Sequence, residues 1–233
     1  MGESQHLKIL ILGGQSSVGL SILSKLSSIH TVRATFRSST PNIANVDWNY
    51  LDISKMESIE TFLRSVTSTP YDVIINLIGE LSHLSLADSL DSINEYFQTY
   101  ISNHSFLIRE LVKTNLSSKK LFINSSSRSV VFGSHDSYYS QAKSAIHGLI
   151  KSLAIIDRDS QYINLVPGLI KGSSMYWKMT PEIRLDHERR AGGTLVDVDE
   201  FAQVVASLVN KVDESKDLKI AYEVDIYIGP QYK

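Results

Sequence analysis

Short apolar runs alternate with longer stretches of helical period along the whole chain. The runs, each bounded by turn or polar residues, predict strands at Leu7–Leu12, Thr31–Phe36, Val46–Leu51, Asp72–Ile78, Lys120–Asn124, Gln161–Val166 and Glu223–Ile228. Between them the spacing predicts helices near Ser17–Ser28, Lys55–Val66, Ser92–Lys113, Tyr138–Asp157 and Asp197–Val212. Strand and helix in strict alternation imply right-handed βαβ crossovers, hence a doubly wound α/β fold with a mostly parallel seven-stranded sheet and helices on both faces. No repeat, low-complexity tract or linker breaks the pattern, so one domain over residues 1–233 is expected. Only Lys171–Gly193 lacks a clear period, and an irregular excursion of that length in a compact domain is usually functional.

Composition narrows the function classes. With 42% hydrophobic residues and Lys+Arg 23 against Asp+Glu 25, the net charge of −2 excludes both a disordered chain and a strongly basic nucleic-acid binder. The absence of cysteine removes disulfides, thiol nucleophiles and cysteine-ligated metals. The seven histidines show no paired metal-binding spacing, so no metal is expected. The first apolar run is far shorter than the roughly 18 residues of a membrane span and ends in Gly13-Gly14, not in a cleavage site. A cytoplasmic protein with no membrane or nucleic-acid partner is expected. The 35 serines carry a warning, because some serine will lie near almost any base by chance.

The first strand runs into Gly13-Gly14-Gln15-Ser16-Ser17-Val18-Gly19, after which Leu20, Ile22, Leu23 and Leu26 begin a helical period. A glycine-rich strand-to-helix turn lets backbone N–H groups and the helix dipole meet a pyrophosphate, so Gly13, Ser16, Ser17, Val18 and Gly19 are candidate dinucleotide-binding residues of a Rossmann-type site. The end of the second strand selects the cofactor. An NAD site wants a carboxylate there, whereas a 2′-phosphate wants a cation. No acidic residue stands between Glu3 and Asp47, and the strand ends in Arg37 and Ser38. NADP (NADPH) is therefore the expected cofactor.

A second constellation lies at Tyr139-Ser140-Gln141-Ala142-Lys143, which opens a helical stretch. Spacing of i and i+4 puts the phenol and the ammonium on one face, where the positive charge would lower the tyrosine pKa toward neutrality and suit it to proton transfer. Just upstream a strand ends in Ser125-Ser126-Ser127. Together with Asp52 after the third strand, Asn76-Leu77-Ile78-Gly79 after the fourth and Pro167-Gly168 after the sixth, these landmarks make the chain resemble the short-chain dehydrogenase/reductase family over nearly its whole length.

The resemblance implies an NADPH-dependent carbonyl reductase or alcohol dehydrogenase, in which hydride passes between nicotinamide C4 and a carbonyl carbon while Tyr139 acts as general acid/base. An epimerase or isomerase with the same hydride chemistry, or a non-catalytic NADP-binding regulatory protein, is the alternative. Lys143 would bind the nicotinamide ribose. Ser126, thirteen residues before Tyr139, would hydrogen-bond the substrate oxygen, with Ser125 and Ser127 as register alternatives. Asp52 would accept from the adenine amino group, Asn76 and Gly79 would line the adenosine ribose, and Pro167, Gly168, Leu169 and Ile170 would pass the nicotinamide carboxamide. A homodimer or homotetramer acting on a small carbonyl or alcohol substrate is implied.

Three departures from the family pattern stand out. Ser17 replaces the middle glycine. The asparagine of the family's proton relay falls at Ile101, with Asn103 about 200° away around a regular helix, so either that helix is irregular or the relay member is absent. Lys171-Gly172 replaces the usual threonine after the Pro-Gly pair. The excursion Gly172–Gly193, in the lid position, carries Met175, Tyr176, Trp177 and Met179 as an apolar wall. It also carries Arg184, His187, Arg189 and Arg190, either as a solvated helical face or as a grip on an anionic substrate group.

Overall fold

A computed structural model of the protein describes residues 6–66, 70–114, 121–214 and 224–229. Seven parallel strands form one sheet: β1 (Lys8–Leu12), β2 (Thr31–Phe36), β3 (Val46–Tyr50), β4 (Val73–Asn76), β5 (Leu121–Ser125), β6 (Gln161–Pro167) and β7 (Val224–Ile228). Their spatial order is β3-β2-β1-β4-β5-β6-β7, so the strand order reverses at the β1/β4 boundary. Each expected strand is present within a few residues; the expected first residues of the fifth and seventh, Lys120 and Glu223, lie outside the described residues.

The strands bury both faces, which is why they read as continuous apolar runs and not as alternating ones. Ile9 and Ile11 of β1 pack with Ile75 and Ile123 beneath α1 (Ser17–Leu26) and α9 (Val198–Glu214). Leu10 and Leu12 pack with Ile74 and Phe122 against the opposite helical layer, formed by α2 (Met56–Val66), α4 (His104–Thr114) and α6 (Ser137–Ile156). None of the described helices is long and apolar enough to cross a membrane.

The stretch expected as one helix over Ser92–Lys113 is instead α3 (Leu90–Phe97), a π-helical segment (Gln98–Asn103) and α4. The wider π turn re-aims the residues that follow it. The helix is therefore irregular at the displaced asparagine. Asn103 is buried, donating to Ile53 O at 2.9 Å and accepting from Gln98 Nε2 at 2.8 Å. The excursion after β6 is also helical, as α7 (Ser174–Lys178) and α8 (Pro181–Arg190), each started by a hydroxyl cap from Ser173 and Thr180. The short α5 (Ser129–Phe132) precedes α6.

A polar ladder crosses the core. Asn76, Asn124 and Asn164 occupy matching positions on β4, β5 and β6. Asn76 Nδ2 donates to Asn124 Oδ1 and Asn124 Nδ2 to Asn164 Oδ1, both at 2.8 Å. His104 Nε2 lies 3.1 Å from Asn76 Oδ1. Asn124→Ala would strand an amide N–H on Asn76 and a carbonyl on Asn164. At about 1–3 kcal/mol for each unsatisfied buried group, urea unfolding should show a loss of about 2–6 kcal/mol; a loss under about 1 kcal/mol would show that the ladder is not coupled.

Candidate active site

The carboxyl ends of β1 and β4 open a cleft where the strand order reverses, the place at which doubly wound folds take ligands. Its shape depends on missing side chains. Gly13 sits at φ +79°, and a Cβ on Gly19 would lie 2.5 Å from Gly14 O, so α1 can start tightly against the turn only with glycine there. Ser16 caps α1 by accepting from Gly19 N at 3.0 Å. That leaves the neighbouring helix N-terminal N–H groups to face the cleft.

Two adjoining cavities fill the cleft. One, of about 390 Å³, is lined by Gly13, Gln15, Arg37, Ile53, Glu80 and Tyr100 among others. The second, of about 160 Å³, is walled by Ser126, Ser127, Tyr139, Lys143, Pro167 and Gly168, with Val18 and Ile170 at its margin. Ser16, Leu77, Gly79, Ser174 and Met175 line both. An elongated two-ended ligand with an anionic middle at the α1 terminus matches this form, so the residues present fit a nicotinamide dinucleotide.

At the nucleotide end, the Gln15 side chain fastens the tip of β2. Its Oε1 accepts from Arg37 N at 2.9 Å and Ser38 N at 3.2 Å, and its Nε2 donates to Ser38 Oγ at 2.7 Å. Arg37 faces the cavity and pairs with Glu80 at 3.2 Å. Glu80 also holds Lys178 at 2.6 Å and accepts from the Tyr100 hydroxyl at 3.0 Å. Burial would raise the Glu80 pKa, but its bonds from Lys178 and Tyr100 and the charges of Lys178 and Arg37 outweigh this and lower it. The cleft therefore does contain a carboxylate. It comes from beyond β4, where a search for acids after the second strand could not find it.

Two expected contacts are placed differently. The Asp52 carboxylate turns into its own loop, accepting from Ser54 N at 3.1 Å and Ser54 Oγ at 2.7 Å, while its neighbours Leu51 and Ile53 line the cavity. The Asn76 amide is spent in the asparagine ladder, so of this pair only Gly79 borders the cleft. Ser17, which stands for a glycine, accepts from Ser174 N at 3.0 Å and so ties the turn to the lid helix.

At the other end, α6 delivers Tyr139 and Lys143 on one face. Asp136 caps that helix, accepting from Tyr139 N at 2.9 Å, and also holds Ser82 N and Oγ, each at 2.6 Å, which locks the loop after β4 to the helix start. Lys143 is buried and donates to Ile78 O at 3.0 Å and Ser125 O at 2.9 Å. An ammonium has three N–H donors, so one remains for a ligand. Gly79 is what makes room: a Cβ there would overlap Lys143 Nζ.

The expected lowering of the Tyr139 pKa by Lys143 is not found. Burial pushes the phenol up to about 12, opposed by a hydrogen bond from Ser127 and reinforced by Asp136. The ammonium spends its bonds on backbone carbonyls, 5.9 Å from the ring centre, and is itself pushed down to about 8 by burial. His104, behind it, is held down to about 3, first by burial and then by the Lys143 charge, and stays neutral.

The serine register also differs from expectation. Phe122, Asn124 and Ser126 follow the strand alternation toward the α4/α6 layer, so the Ser126 hydroxyl meets His147 Nδ1 at 2.8 Å. Ser127, past the strand end and out of the pleat, lines the same cavity as Tyr139 and lowers its pKa. In the lid, His187 and Arg190 face the second cavity, whereas Arg184 stacks over Tyr176 and Trp177 at 5.2 and 5.6 Å.

No protein-family model matches the chain, and no curated protein matches it by sequence. Solved structures do. A short-chain dehydrogenase family protein from Francisella tularensis superposes with a TM-score of 0.80 at 18% identity, covering 96% of this chain and 97% of that one. Aldohexose dehydrogenase from Thermoplasma acidophilum gives 0.79 at 16%, covering 97% and 94%. A variant of the actinorhodin polyketide ketoreductase with NADPH gives 0.78 at 18%, covering 99% and 98%. The chain has the Rossmann-type fold of the short-chain dehydrogenases and reductases.

Proposed function

We propose that the protein is an NADPH-dependent carbonyl reductase of the short-chain type. The observation that carries this reading is the pairing of a buried, protonated phenol with a buried lysine in a cavity that adjoins a dinucleotide-shaped cleft. A bound nicotinamide would supply the hydride. The chain's own residues hold and move the proton. Tyr139 keeps its hydrogen at neutral pH and so is in the form that can donate it to a carbonyl oxygen. Ser127, on the wall of the same cavity, would steady the oxygen as charge develops on it.

Lys143 uses its remaining N–H on the cofactor ribose and is kept in line by the Ile78 and Ser125 carbonyls. The Arg37 guanidinium would exchange Glu80 for a 2′-phosphate, with Lys178 still neutralising Glu80. The lid helices close the outer side of the pocket, and a homo-oligomer formed through α4 and α6 goes with this reading, since Phe106, Ile155 and Ile156 are exposed on those helices.

Three measurements check these assignments. Tyr139→Phe should lower turnover of any carbonyl substrate by about 10²–10⁴-fold while NADPH binding stays within about twofold; unchanged turnover would sink the proton-donor role. Arg37→Ala should weaken NADPH by about tenfold, the scale of one charge-assisted hydrogen bond, and leave NADH within about twofold; equal loss for both would contradict the NADP assignment. Gly79→Ala should move the flexible Lys143 head without unfolding the chain and weaken NADPH by about tenfold in a fluorescence titration, a loss expected from misplacing a positioning group by about 1 Å.

A further inference from the structure

The lid helix α7 is fastened at both ends to the cofactor cleft. At its start, Ser174 N donates to Ser17 Oγ of the glycine turn at 3.0 Å. At its end, Lys178 Nζ donates to Glu80 Oε1 at 2.6 Å. Between these anchors the helix walls both cavities: Ser174 and Met175 line each of them, and Lys178 lines the cofactor side. Met179, next along the chain, lines the catalytic side. A shift of α7 therefore reshapes the catalytic cavity, and both of its anchors belong to the cleft that takes the cofactor.

The Glu80 carboxylate divides its two oxygens. Oε1 takes the lid's Lys178, whereas Oε2 accepts from Arg37 Nη1 at 3.2 Å and from the Tyr100 hydroxyl at 3.0 Å. Two half-exposed cations thus share one negative charge, and each holds less than the whole of it. A phosphate at Arg37 would end the sharing, because a guanidinium pairs with it through two parallel bonds. Glu80 is then left to Lys178. A ribose with only hydroxyls gives Arg37 no second anion, so the sharing persists.

We infer that Glu80 couples the lid to the cofactor's phosphate, so that NADPH, and not NADH, tightens α7 over the catalytic cavity. This rests on the NADPH reading of the cleft. Cofactor selection acts twice in this scheme, first through Arg37 on binding and then through Glu80 and Lys178 on the closing of the substrate pocket. Glu80 and Lys178 are positioning residues: they act through the place of α7 and not on the reacting atoms.

The test is hydrogen exchange of the α7 backbone amides, read by mass spectrometry on the full-length protein saturated with one cofactor or the other. In the unmodified protein α7 should exchange about threefold more slowly with NADPH than with NADH, the scale of strengthening one half-exposed ion pair. Glu80→Gln keeps the shape of the side chain without its charge and should erase that difference. Lys178→Met should erase it from the lid side, with exchange in the central strands unchanged in both variants. A difference that survives either substitution overturns the inference. So does equal α7 exchange with the two cofactors in the unmodified protein. Failure of the NADPH reading shows itself separately, as a fluorescence titration in which NADPH binds no more tightly than NADH. The exchange at saturation still decides the coupling in that case, since it does not depend on which cofactor binds better.

Discussion

Everything at this site is arranged around one buried ammonium. Lys143 is held between the Ile78 carbonyl beyond β4 and the Ser125 carbonyl at the end of β5, so a single side chain from α6 joins the two strand ends that flank the cleft. Taking a cation out of water is costly, and burial lowers its pKa to about 8. Because the unfolded chain holds that proton more tightly, stability from this group rises with pH between about 8 and the ordinary lysine value of 10.5 and is least below that window. The fold accepts this cost at a position where a cation has work to do. Glycine at 79 lets the ammonium reach the strand end, and Asp136 fixes the start of the helix that carries it.

The surrounding polar groups follow from the same burial. Asn76, Asn124 and Asn164 bond in line across three strands, with the Asn164 amide nitrogen left over at the far end, and His104 closes the ladder on the side facing Lys143, where both burial and the neighbouring charge keep it neutral. The π segment before α4 brings His104 and Tyr100 to this spot, with Tyr100 reaching Glu80 at the other cavity. A helix defect, a buried amide ladder and a strand-end lysine thus act as one support for the two ends of the cleft.

The sequence disclosed the sheet and the two poles of the site because both are local patterns: apolar runs of strand length, a glycine turn, and a tyrosine and lysine one helical turn apart. What it hid was set by pairing in space. Glu80 lies far from the second-strand position where a ribose carboxylate is sought. Asp225 and His147 stand far apart in the chain and meet only because β7 lies beside β6 and under α6. Three consecutive serines could not be ranked, because the choice between Ser126 and Ser127 depends on where the strand leaves its pleat. The expected effect of Lys143 on Tyr139 failed for a related reason: spacing places two groups on one face but does not say where their hydrogen bonds go. The π segment has one sequence trace, the asparagine displaced by two positions from its family place.

A charged lysine lies buried between two strand ends, ready to meet a ligand. The direct test is a carbon NMR titration of the lysine ε-carbons, with Lys143→Arg to assign the signal. One lysine should titrate at about 8, apart from the rest; titration of Lys143 at the ordinary 10.5 would show that its ammonium is not buried in this way.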